Sequence, residues 1–171
     1  MHMDERPGVR GLFRCDMAGD EALLRLARLR FAEAGMPAEV YAGSPEELEH
    51  TLRFVPDHAV LPTAHLDRAL NLLDVDDREA VARFAASFEG RVAGLVVHDQ
   101  AAMRDRRPEL LRALRTLGDR STGPVVYLEY AAGAPLDWFA RVAADLADVE
   151  CAGVCIDTGH VGLYAVWREL E

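Results

Sequence analysis

Six times along this chain a short apolar run gives way to a longer amphipathic stretch, and that alternation restricts the fold more than any other feature. Repeats of this kind build βα units around a parallel sheet, because parallel neighbours must be joined by a crossover of a dozen or more residues and a helix supplies it. The apolar runs predict strands over 11–15, 38–42, 59–64, 92–97, 125–128 and 153–156. The stretches between them predict helices over 20–34, 45–54, 76–88, 108–117 and 136–146. In the first helix Leu23, Leu24, Leu26, Ala27 and Phe31 suit one buried stripe, with Arg25, Arg28 and Glu33 outside it. Ser44-Pro45 opens the second with a capping hydroxyl followed by proline at the first helical position. The run Val92-Ala93-Gly94-Leu95-Val96-Val97 is apolar on both faces, as a strand covered on both sides would be.

Periodicity alone does not separate an open sheet from a closed barrel, and the polar residues at the strand ends carry that choice. His65, His98, Glu129 and Asp157 each follow a predicted strand or close it, at separations of 33, 31 and 28 residues. One βα unit takes about that length, so the four fall at the same end of successive parallel strands. In a (β/α) barrel those ends converge on one mouth, where the active sites of that fold lie. His160 lies three residues past Asp157 and can lean over the same mouth. Imidazole and carboxylate together are the donor set of a divalent cation such as Mn, Zn or Co, with Mg as the all-oxygen alternative.

Each of these residues has an ordinary alternative. A lone His or Asp at a strand end commonly caps the next helix, and Asp157-Thr158-Gly159-His160 reads locally as a strand-to-helix turn. Glu129 is harder to dismiss, because a carboxylate placed directly after four apolar strand residues is costly to bury without a partner. Asp16 at the end of the first strand reads as a cap, and Arg104, Arg106 and Arg107 as a solvated basic face.

Charge narrows the function classes. The formal net charge is −10, which argues against a partner held through many phosphate contacts and favours a small molecule over nucleic acid. All 19 basic residues are arginine, so Schiff-base chemistry and a Walker-type lysine are excluded. The three cysteines, Cys15, Cys151 and Cys155, show no Cys-x-x-Cys spacing and fit a reducing, cytoplasmic setting. Neither a secretory signal pattern nor an apolar stretch of membrane-spanning length is present.

The strand-end motifs Ala64-His65-Leu66, Val97-His98, Leu128-Glu129-Tyr130-Ala131-Ala132-Gly133 and Val154-Cys155-Ile156-Asp157-Thr158-Gly159-His160 resemble the xylose-isomerase-like TIM-barrel superfamily. That superfamily includes sugar isomerases and epimerases as well as the AP-endonuclease type of DNA repair enzyme. The resemblance implies a (β/α) barrel with six of the usual eight units visible, an extension over 1–10, and one domain over 11–171 that lacks the last strands. It makes Glu129 a metal ligand and general base, Asp157 a ligand, and His160 a substrate contact. By the AP-endonuclease branch, His65 and His98 join as ligands of a zinc cluster. Three functions therefore stand side by side. The first is a metal-dependent isomerase or epimerase of a small sugar or polyol, phosphorylated or not; the second is an AP-endonuclease-type phosphodiesterase; the third is a non-catalytic or fragmentary barrel domain. His98 is followed by Asp99-Gln100 where the family commonly has Pro-Gly. Six strands would leave sheet edges exposed, and a second copy of the chain is one way to cover them.

Overall fold

The computed structural model describes residues 13–14, 20–53, 60–119 and 123–169. Their strands are β1 (Phe13–Arg14), β2 (Ala38–Ala42), β3 (Thr63–Leu66), β4 (Gly94–His98), β5 (Val125–Tyr130) and β6 (Ala152–Ile156). The helices are α1 (Glu21–Glu33), α2 (Pro45–Leu52), α3 (Val75–Ser87), α4 (Arg107–Asp119), α5 (Leu136–Asp145) and α6 (Thr158–Glu169). Local chemistry explains several of the boundaries. Asp20 caps α1 by accepting from the Leu23 N–H at 2.9 Å. Ser44 caps α2 in the same way, through the Glu47 N–H at 3.2 Å. α3 starts one residue before the predicted position because Asp74 accepts from the N–H groups of both Asp76 and Asp77.

All strand pairs are parallel, in the order β1-β2-β3-β4-β5-β6. Among the described residues β1 contributes Phe13 and Arg14 at one edge. The sheet is open. Among the described residues β1 pairs only with β2 and β6 only with β5, so no ladder joins the first strand to the last. This overturns the barrel expectation: a barrel exists only when its first and last strands bond, and here the layers are those of an open, Rossmann-like parallel sheet, without reversal of strand order. Repeated βα units produce either outcome, which is why the alternation of elements did not distinguish them.

The core lies on one side of the sheet. Val40 and Ala42, Ala64 and Leu66, Leu95 and Val97, and Val126, Leu128 and Tyr130 alternate onto that face. They pack against Val81 and Phe84 of α3, Leu110 and Leu114 of α4, and Trp138, Phe139 and Val142 of α5. The intervening residues, Glu39, Tyr41, Thr63, His65, Val96, His98, Tyr127, Glu129 and Cys155, belong to the opposite face. Val96 is fully buried yet stands outside the helix-side core, as a residue on that second face should. Gly94 is needed there, because a Cβ at this position would overlap the Tyr127 ring. No helix among the described residues is long and apolar enough to cross a membrane.

Candidate metal centre

The strands run slightly further than the apolar runs indicated, and this brings the polar residues inside the sheet. His65 is the third residue of β3, His98 the last of β4, and Glu129 the fifth of β5. His98 and Glu129 are paired across β4 and β5, while His65 sits opposite Val96, two residues before His98. Because strand side chains alternate with period two, all three project from the face opposite the core.

They meet at their polar tips. Nε2 of His65 lies 3.1 Å from Nε2 of His98, and Oε2 of Glu129 lies 3.3 Å from the first and 3.0 Å from the second. All three side chains are largely buried, Glu129 at 3 % exposure. Although both imidazoles are within ion-pair distance of it, Oε2 of Glu129 makes no aligned hydrogen bond. A buried carboxylate oxygen in that state lacks compensation for its lost hydration. A cation fits the gap. Four ligands about 2.0–2.1 Å from a tetrahedral zinc ion stand roughly 3.3 Å from one another, and the three observed separations are close to that edge. By chemistry and by spacing, His65, His98 and Glu129 form a group that could hold a metal ion.

A second group shares Glu129. One donor atom each from Glu129, Asp157 and His160 lie within 4.8 Å of one another. Nδ1 of His160 is 3.1 Å from the carbonyl oxygen of Tyr130 and 3.7 Å from Oδ2 of Asp157. This group is looser than the first. The Asp157 side chain is 44 % exposed, and its Oδ1 accepts from the Gly159 N–H at 2.6 Å, so it also caps α6, as a strand-to-helix turn residue does. The structure therefore gathers all four strand-end residues and His160 at one end of the sheet.

Two neighbouring carboxylates carried no weight in the sequence. Oε1 of Glu39 lies 2.5 Å from Nδ1 of His65. Its signal was a charged residue in the middle of the otherwise apolar Ala38-Glu39-Val40-Tyr41-Ala42 strand. Asp99, read only as a departure from a family pattern, is 3 % exposed and accepts from the N–H groups of Ala131, Gly133 and Ala134 at 2.8, 3.1 and 2.9 Å. Burial pushes its carboxyl up, while those three N–H groups and the nearby His98 oppose the shift. The loop it grips follows directly on β5, contains Ala132 at φ 59°, and approaches so closely that a Cβ on Gly133 would come within 2.7 Å of the Asp99 carbonyl oxygen. Asp99 thereby fixes the chain that leaves Glu129.

Cys155 pairs in register with Glu129 on the ligand face. Burial, and then the charges of Glu129, Glu39 and Asp157, push its thiol up to about 12. At pH 8 only about one such thiol in ten thousand is ionised, which leaves little nucleophile. In metal-free protein iodoacetamide should therefore modify Cys155 far more slowly than a model thiol, as read by peptide mass mapping; rapid labelling would contradict this environment. Of the basic run, Arg106 pairs with Glu109, Arg107 with Asp145, and Arg104 donates to the Gly133 carbonyl, so these side chains serve local contacts. Asp16, Cys15, His2 and His58 lie outside the described residues.

No protein-family model matches this chain, and no curated protein does. Among solved structures it is similar to the crystal structure of AsfvAP:AG, the AP endonuclease of African swine fever virus, with a TM-score of 0.55 and 14 % identity over 94 % of this chain and 68 % of that one. At that identity the likeness establishes a shared parallel α/β fold.

Proposed function

We propose that this chain carries the metal centre of a phosphodiester-cleaving enzyme of the AP-endonuclease type. One observation carries the reading: Glu129 is common to two donor groups, one completed by His65 and His98 and the other by Asp157 and His160. A carboxylate shared in this way suits a pair of cations, and paired cations suit in-line displacement at phosphorus because the attacking and the leaving oxygen both carry charge. The fold likeness to a viral AP endonuclease supports the same reading. Sugar isomerisation employs Glu129 and Asp157 but gives no work to the two histidines packed on Glu129.

Bound divalent cations would supply Lewis acidity at the phosphoryl group and acidify water. The protein's own part is placement. His65, His98 and Glu129 would hold one cation from inside the sheet, and Asp157 and His160, with Glu129, would hold the other from the β6 end. Beside them is a recess of about 230 Å³ lined by Arg68, His98, Asp99, Ala131 and His160, in which Arg68 supplies a cationic group for a substrate anion. The net charge of −10 fits a grip on one phosphate better than a long track of backbone contacts.

The test is turnover by the zinc- or manganese-loaded chain on a duplex with a single abasic site, on the intact duplex, and on a panel of aldoses and ketoses. Incision confined to the abasic duplex, abolished by chelator, is the expected result. Sugar interconversion without incision would overturn the proposal in favour of an isomerase.

A further inference from the structure

Glu39 is a largely buried carboxylate that neither donor group includes. Its side chain is 14 % exposed, on β2 at the edge of the ligand cluster, and its Oε1 is 2.5 Å from Nδ1 of His65, which is itself 8 % exposed. The register makes this contact diagonal: Glu39 pairs with Thr63 and Tyr41 with His65, so the carboxylate reaches two residues along β3 on the shared face. The imidazole is held on its flanks as well. The Tyr41 ring lies 5.9 Å from it, centroid to centroid, and the His98 ring 4.7 Å.

From this geometry we infer that Glu39 is a positioning residue of the metal centre. It accepts the Nδ1 proton of His65, fixes that tautomer, and turns an unprotonated Nε2 toward Glu129. An ionised carboxylate can only accept, so Nδ1 must be the donor and Nε2 must carry the lone pair. That lone pair is aimed at the point where Nε2 of His98 and Oε2 of Glu129 also converge. A carboxylate behind a ligating imidazole also raises its basicity as a donor, and loss of such a partner typically weakens metal binding about 10–100-fold. The arrangement favours ions that accept nitrogen donors, such as zinc or cobalt, over magnesium or calcium.

The inference rests on the metal-site reading above, and the experiment separates the two. Zinc affinity is measured by competition with a chromophoric chelator for wild type, Glu39→Ala and Glu39→Gln. The absorption spectrum of the cobalt-substituted protein and the melting temperature of the metal-free protein are recorded alongside. The alanine variant should bind zinc about 10–100-fold more weakly, with an altered cobalt spectrum. Glutamine retains an oxygen acceptor without charge and should recover part of the loss. Thermal melting of the metal-free glutamine variant should match wild type, which guards against a loss caused by misfolding. Wild-type affinity and spectrum in both variants would overturn the role of Glu39 alone. Absence of zinc binding by wild type would overturn both readings.

Discussion

Glu129→Gln is expected to abolish stable metal binding while leaving the metal-free fold intact. The residue belongs to both donor groups, so one substitution removes a ligand from each, and the loss in affinity should exceed the roughly 100-fold upper range for an outer partner. The metal-free protein should melt at the same temperature or higher. Oε2 makes no aligned hydrogen bond, so removing the buried charge sacrifices none there and relieves a desolvation cost. A ligand that binds only the folded state raises its melting temperature. Wild type should therefore gain thermal stability on adding zinc, and Glu129→Gln should gain none. An equal gain in both would show that the cation binds elsewhere.

The largest effect on stability is expected at Asp99, which no metal group includes. Removing its carboxylate in Asp99→Ala strands three backbone N–H groups, those of Ala131, Gly133 and Ala134, in a partly buried turn. An unsatisfied buried donor costs about 1–3 kcal/mol, and partial access of water keeps the three from adding in full, so about 3–5 kcal/mol in total is the expected loss. Asp99→Asn should lose less, because its amide oxygen still accepts while the amide nitrogen opposes one N–H. Urea denaturation of the metal-free variants reads both values, and a change below about 1 kcal/mol for alanine would contradict the clamp. Zinc affinity should also fall in Asp99→Ala, since the gripped loop follows directly on the strand that bears Glu129.

Much of this arrangement was legible in the residues themselves. Strands apolar on both faces announced a parallel sheet, and the even spacing of His65, His98, Glu129 and Asp157 placed four donors at one sheet end. Three things were not legible. Whether the sheet closes depends on how β1 and β6 pair, which their own composition does not encode. The partnership of Glu39 with His65 depends on a diagonal register between β2 and β3, and a one-residue slip would send Glu39 to the core face. Asp99 acts on N–H groups more than thirty residues downstream, and only the packing of two loops brings them together. The described residues also correct the closed barrel to an open sheet, and they do so without moving the donors apart. Convergence here comes from neighbouring strands in register, for which closure is unnecessary.

His65, His98 and Glu129 are expected to take one divalent cation together. X-ray absorption spectroscopy of the chain loaded with one equivalent of zinc tests it most directly, because outer-shell scattering from imidazole rings counts the histidine ligands. Two imidazoles are expected, with the remaining positions filled by oxygen, and this signature should be lost in Glu129→Gln. A zinc shell made of oxygen alone, or one that contains sulfur from Cys155, would contradict it.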